Sequence, residues 1–94
     1  MTYELEFDPR ALKEWNKLGN TVKQQFKNKL KEVLKYPHVE SNRLRELPFC
    51  YKIKLRSSGY RLIYQVQDEK ITVFVVAVGK RERGDVYKAA SKRA

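Results

Sequence analysis

The cations of one fifteen-residue stretch carry the chemistry that this chain can do. Cys50–Tyr64 reads CYKIKLRSSGYRLIY. Tyr51, Ile53 and Leu55 alternate with Lys52, Lys54 and Arg56, a period of two that sets apolar and cationic residues on opposite faces of a strand. Ser57-Ser58-Gly59 reads as a turn and Tyr60–Val66 as the return strand. A loop over Arg56–Gly59 puts Leu55 opposite Tyr60 and Lys54 opposite Arg61. Lys52, Lys54 and Arg61 then share one face of the hairpin. Like charges directly opposite one another in a sheet are unfavourable. A chain that gathers cations there is expected to receive an anion, and we expect RNA phosphate.

RNA cleaves when its 2′-OH is deprotonated and aligned on the neighbouring phosphorus. Negative charge then gathers on the phosphoryl oxygens, where fixed cations stabilise it. Clustered lysines also disfavour one another's protons, which draws one amine below its usual pKa of about 10.4 and makes it a candidate base. Arginine stays charged, so its natural part is electrostatic. Tyrosine can stack on a base or hydrogen-bond a hydroxyl. Other arrangements are missing: there is no Cys/His metal spacing, no Gly-rich phosphate loop and no histidine paired with a nucleophile. The single histidine, His38, follows a proline and reads as an exposed loop residue; two-histidine ribonuclease chemistry is excluded by count. From residue types alone, nucleic-acid binding without chemistry outranks cleavage. Lys52 and Lys54 as solvated residues, Arg61 paired with a carboxylate of the first strand, and Tyr87 as a packing residue are the ordinary alternatives.

The elements that must position this hairpin follow from patterning. Thr2–Phe7 alternates Tyr3, Leu5 and Phe7 with Glu4 and Glu6, a half-buried strand. Asp8-Pro9 starts a helix bearing Ala11, Leu12, Trp15 and Leu18, with Gly19 as its left-handed end. Asn20 or Thr21 caps a second helix to about Tyr36, whose apolar set is Val22, Phe26, Leu30, Val33 and Leu34. Lys23, Lys27 and Lys31 line another of its faces. They are candidate ribosome or RNA contacts, although such a run is more often a solvated surface. Tyr36-Pro37-His38 stops the helix. A loop to Phe49, with a helical turn around Ser41–Leu47, carries Arg43 and Arg45, whose guanidinium planes suit RNA backbone or bases. After the hairpin, Asp68-Glu69 turns the chain into Ile71–Val78, an apolar run expected in mid-sheet. Gly79 ends or kinks that strand. Lys80-Arg81-Glu82-Arg83 lies just beyond, and Val86–Lys92 forms a short, mobile last helix. The order predicts an α+β domain, β-α-α-β-β-β-α, with helices on one face of an antiparallel sheet.

The 94 residues are expected to form one domain, residues 1–94, with 21 Lys+Arg against 11 Asp+Glu and a formal charge of +10. That balance favours a polyanionic partner. One cysteine, Cys50, permits no internal disulfide and suits a reducing cytoplasm. The N-terminus MTYELEFDPR has no long apolar run, and no segment approaches the length of a membrane span, so neither export nor membrane association is expected.

YKIKLRSSGYRLIYQV, then VFVVAVGKRER with a following Tyr, and FDPRALKEWNKLG near the start closely resemble the RelE toxins of bacterial toxin–antitoxin pairs. The resemblance runs almost end to end. It implies the RelE/ParE-like, microbial-ribonuclease-like fold, and a metal-independent endoribonuclease that enters the 70S ribosome's A site and cuts mRNA there by 2′-OH attack, without cofactor. It implies a cytoplasmic toxin neutralised by a RelB-type antitoxin, with operator DNA met only through that antitoxin. Removal of the C-terminal helix by the antitoxin would disable the site. Lys52 and Lys54 match the family's paired strand lysines, Arg61 its return-strand arginine, Arg81 the arginine after the last strand and Tyr87 the C-terminal tyrosine. These five are the expected catalytic residues, with Lys54 as base. Arg45, Arg43, Arg56, Arg83, Lys23, Lys27 and Lys31 are the expected RNA or ribosome contacts. Gly79 breaks the phase of the last strand, so placing Arg81 beside Lys54 rests on the resemblance. Two other readings stand beside this one: a ParE-like toxin that poisons gyrase, whose family lacks the basic set, and a non-catalytic RNA- or ribosome-binding module.

Overall fold

The computed structural model describes residues 2–94. Its elements are β1 (Glu4–Phe7), α1 (Pro9–Asn16), α2 (Asn20–Lys35), β2 (Cys50–Leu55), β3 (Tyr60–Gln67), β4 (Thr72–Lys80) and α3 (Asp85–Arg93). Single 3-10 turns lie at Glu40–Asn42, Asp68–Lys70 and Glu82–Gly84.

Local chemistry starts α1 as expected. The Asp8 side chain accepts from the Arg10 backbone N–H at 2.8 Å, with Pro9 at the first helical position. The Arg10 guanidinium bonds the same carboxyl and holds it well below its usual range, at about 2. Gly19 plays a different part from the one expected. The helix has already closed at Lys17, whose N–H returns to Glu14 O while that of Leu18 returns to Trp15 O, and Gly19 is extended (φ −68°, ψ 159°) at the start of α2. Phe26, Leu30 and Val33 form the buried stripe of α2.

The sheet runs in the order β1-β4-β3-β2. Both β2–β3 and β3–β4 are antiparallel, but β1 pairs with β4 in parallel, so the sheet is mixed where an antiparallel one was expected. The helical pair carries the chain from β1 to the opposite edge. The meander β2-β3-β4 then returns, and β4 arrives alongside β1 pointing the same way. Parallel neighbours need a long crossover, which α1, α2 and the meander provide. β4 is interior, as its apolar run implied.

Two apolar clusters cover the two faces. On one, Trp15 of α1 and Phe26 of α2 pack with Leu62, Tyr64, Val73 and Val75. On the other, Val86 and Ala90 of α3 close over Cys50, Ile63, Val76 and Ala77. The two N-terminal helices therefore share one face, as expected, and α3 takes the other. A bulge explains the phase of β4: Ile63 pairs with Ala77 but Tyr64 with Val75, so Val76 is extra and joins Ala77 on the α3 side. β4 also continues through Gly79 to Lys80 instead of stopping at Val78. Among the described residues no helix is long and apolar enough to cross a membrane.

Candidate active site on the cationic sheet face

The hairpin register is the one that the spacing predicted: Leu55 opposite Tyr60, Lys54 opposite Arg61, Lys52 opposite Ile63. Ile63 and Cys50 belong to the α3-side cluster, whereas Tyr51, Ile53 and Leu55 belong to the α1/α2 side. Strand alternation therefore puts Lys52, Lys54 and Arg61 on the α3 face. Lys52 and Lys54 are half-buried. Arg61 is 6% exposed, and its Nη1 donates to Tyr60 O at 2.9 Å. Among the described residues it makes no ion pair, so the expected alternative of a carboxylate from the first strand is not realised; β1 lies at the far edge of the sheet. The Lys54 ammonium is pushed below the ordinary lysine value, first by Lys52, then by desolvation, Arg56 and Arg61. Lys54 is thus the hub of the cationic group.

Backbone geometry brings Arg81 to the same end of the sheet. Gly79 is the register partner of Arg61, and a Cβ on Gly79 would lie 3.6 Å from Val86 Cβ, so position 79 faces α3. Arg81 comes two residues later, and its N–H donates to Gly59 O at 2.9 Å across the hairpin tip. The bulge at Val76, hidden in an apolar run, sets the phase that turns Gly79 to α3, whereas Arg81 lies beyond β4 in a helical conformation (φ −71°, ψ −15°) and is exposed. Arg83 follows in a left-handed turn (φ 60°) and is exposed.

Tyr87 sits at a second pole of the face. It lines a cleft of about 250 Å³ with Leu44, Arg45, Glu46, Leu47 and Ser91. The 44–49 loop folds back because Leu44 N–H donates to Cys50 O (2.9 Å) and Cys50 N–H to Leu47 O (3.2 Å). Arg45 and Tyr87 thereby line one cleft, although 42 residues separate them in the chain. Arg43 is drawn toward Glu40, its Nη1 3.5 Å from Oε1.

Lys23, Lys27 and Lys31 are not brought to this face. They ride on α2, which covers the opposite side of the sheet. Their neighbour Lys29 was missed: with Gln25, Asn28, Lys54, Arg56 and Ser57 it lines a groove of about 540 Å³ along the β2 edge. Its signal was its place three residues after Phe26 and four before Val33, at the rim of the buried stripe. His38 is an exposed loop residue, as expected, but it has partners. Its Nε2 lies 3.1 Å from Asp68 Oδ2, and its ring packs edge-on to Tyr3 and Tyr51, on the α1/α2 side. Cys50 is fully buried, and desolvation pushes its thiol up to about 11, so it packs as a small apolar residue and is no nucleophile.

An α+β sheet with cations gathered on one face and a tyrosine-lined cleft beside them defines a polyanion-binding class. Residues 5–84 match the family model described as the ParE toxin of the type II toxin–antitoxin system parDE. The chain is 67% identical over 93 residues to mRNA interferase toxin RelE of Escherichia coli (strain K12), covering 99% of this chain and 98% of that protein. The free E. coli RelE toxin with the R81A and R83A substitutions superposes with a TM-score of 0.92 at 64% identity, covering 99% of this chain and 98% of the other. The toxin chain of the intact E. coli RelBE toxin–antitoxin complex matches with a TM-score of 0.84 at 68% identity, covering 86% of this chain and 99% of the other. The chain belongs to the RelE toxins, within the ParE-type toxin family of type II toxin–antitoxin systems.

Proposed function

We propose that this protein is an mRNA interferase, a toxin that cuts mRNA held in the ribosomal A site and is silenced by a RelB-type antitoxin. The whole chain, 1–94, acts as one toxin domain in the cytoplasm. The names of its full-length relative and of the matching complex support this reading. One observation of the chain itself carries it: Lys54 sits among Lys52, Arg56 and Arg61 with its ammonium destabilised. A lysine whose proton is disfavoured is a base, and the cations that disfavour it are placed to stabilise a phosphorane.

In this mechanism Lys54 takes the 2′-OH proton, helped by Lys52. The O2′–P bond forms and the P–O5′ bond breaks, leaving a 2′,3′-cyclic phosphate and a 5′-hydroxyl after the 5′-oxygen takes up a proton. Arg61 faces the phosphorane oxygens. Arg81 lies at the leaving oxygen and acts by its charge, because a guanidinium serves as a fixed cation. Tyr87 stacks on and orients a substrate base, with Arg45 beside it. Arg43, Arg56 and Arg83 hold RNA backbone, while Lys23, Lys27 and Lys31 contact the ribosome from the α2 side. No metal or cofactor takes part. With only weak acid–base groups, much of the rate comes from alignment, which offsets about 7–11 kcal/mol of barrier when reacting atoms are held in line. The ribosome supplies that alignment and free RNA does not.

The test is an A-site codon carrying 2′-deoxyribose at the attacking nucleotide. Ribosomes programmed with the ordinary codon should yield a cyclic-phosphate product, and those with the deoxy codon no product. Equal cleavage of the deoxy codon excludes 2′-OH attack.

A further inference from the structure

α3 is weakly anchored by apolar contact. Only Val86 and Ala90 of its nine residues are buried, and both lie before its last three residues. That last stretch, Ser91–Arg93, is held by something else. Arg93 donates from Nη1 to Glu14 Oε1 at 2.8 Å and from Nη2 to Glu14 Oε2 at 3.1 Å, a two-pronged pair across to α1. Arg93 Nη1 also donates to Val76 O at 3.0 Å, and Glu14 Oε1 accepts from Val78 N–H at 3.1 Å. The place of these bonds explains them. β1 pairs with β4 only over Thr72–Val75, so β4 runs on with its outer edge uncovered. Val76 O and Val78 N–H are the ladder groups that β1 leaves without a strand. Two side chains from helices on opposite faces finish the ladder in its place, and Arg93 is only 12% exposed at its side chain.

We propose that Glu14 and Arg93 are positioning residues for the reaction. They form a latch over the open edge of β4 that holds the far end of α3, and through it Tyr87, against the cationic face. Val86 beside Gly79 fixes the near end of the helix and the latch fixes the other. Tyr87 and Ser91 both line the Arg45 cleft, so loss of the latch frees the last turn of α3 beyond Ala90 and loosens the Tyr87 side of that cleft. Neither residue touches substrate. This inference rests on the proposed role of Tyr87.

The experiment compares Glu14→Ala, Arg93→Ala and Arg93→Lys with the parent protein. It measures Val78 amide exchange, the NMR linewidth of a labelled Tyr87 ring, and single-turnover cleavage on programmed ribosomes. Arg93→Lys keeps the charge but not the fork. Both alanine variants should speed Val78 exchange, broaden the Tyr87 signal and lower the cleavage rate by roughly ten- to a hundredfold, the usual effect of a small misplacement at a reacting site. Half-saturating ribosome concentration should hardly change. Arg93→Lys should recover part of the ring order and part of the rate together. Arg93 lies at the chain's last turn, so its variants keep the core even where Glu14→Ala does not. Full cleavage in Arg93→Ala with a broadened Tyr87 signal overturns the proposal, as does unaltered Val78 exchange in both alanine variants. If the parent protein itself fails to cleave, the functional reading falls, and Val78 exchange with Tyr87 order still decides whether the latch exists.

Discussion

Lys54 stands directly opposite Arg61 in the β2–β3 ladder, two cations paired where sheets ordinarily avoid like charges. Such a pairing is unfavourable in a sheet, and the proposed catalytic role of this face accounts for it. Lys54→Ala should lower single-turnover cleavage by about 10²–10⁴-fold, the usual range for a positioned base. Lys54→Arg should not restore it, because a guanidinium keeps its proton. Arg61→Ala should cost about 10²–10³-fold, as for loss of one donor to a developing oxyanion. The melting temperature of Lys54→Ala should stay level or rise slightly. A Lys54→Arg variant with parental activity contradicts the assignment of the base.

The lowered pKa of Lys54 sets a pH signature. Cleavage should rise with pH while Lys54 loses its proton and flatten above its pKa. Lys52 is the largest cause of the shift. Lys52→Ala should therefore move the inflection to higher pH and lower the rate most at low pH. For stability the sign follows from a folded pKa below the unfolded one. Below both values the charged Lys54 destabilises the fold, and that penalty fades as pH rises through the window up to the ordinary value of 10.5. An inflection that Lys52→Ala leaves in place removes Lys54 as the titrating group.

Tyr87 tests the second pole of the face. If its ring stacks on a base, Tyr87→Phe should keep most of the activity, and Tyr87→Ala should lose about 1–3 kcal/mol of substrate stabilisation. Loss of activity in Tyr87→Phe instead assigns the work to the hydroxyl. Single-turnover rates on the same programmed ribosomes distinguish the two.

Asp8 gives a prediction free of function. It caps α1 at a 6%-exposed position with its carboxyl held at about 2. Asp8→Ala should cost about 0.5–2 kcal/mol in urea unfolding near neutral pH. Because the folded pKa is depressed, the contribution is complete above about pH 4 and disappears as pH falls through about 2. The gap between parent and variant should close over that range, and a gap independent of pH contradicts the ionised cap.

The helices, the hairpin register and the Lys52–Lys54–Arg61 face could be read from the chain because each rests on local patterning: period two in CYKIKL, helical spacing from Phe26 to Val33, and Asp8-Pro9 as a start signal. What escaped that reading depends on residues far apart. The parallel β1–β4 pair arises only when the meander returns, and nothing in four residues of β1 announces its partner. The bulge at Val76 lies in a uniform apolar run that carries no phase. Glu14 and Arg93 are 79 residues apart, so the bond that seats α3 had no local sign. The expectation of a mobile α3 rested on its low apolar content, and only Val86 and Ala90 of it are buried; the ionic latch had no part in that reading. Arg45 was legible as a loop guanidinium and Tyr87 through the family resemblance, and the cleft that joins them was not.

The proposed mechanism, in which the ribosome aligns the scissile linkage for Lys52, Lys54, Arg61 and Arg81, is tested most directly by primer extension on one mRNA, naked and on stalled ribosomes, with pure protein. Breaks confined to the A-site codon of ribosome-bound message, with no cutting of the same naked strand in the same time, are the predicted result. Equal cleavage of the naked RNA, or breaks spread outside the A site, contradicts it.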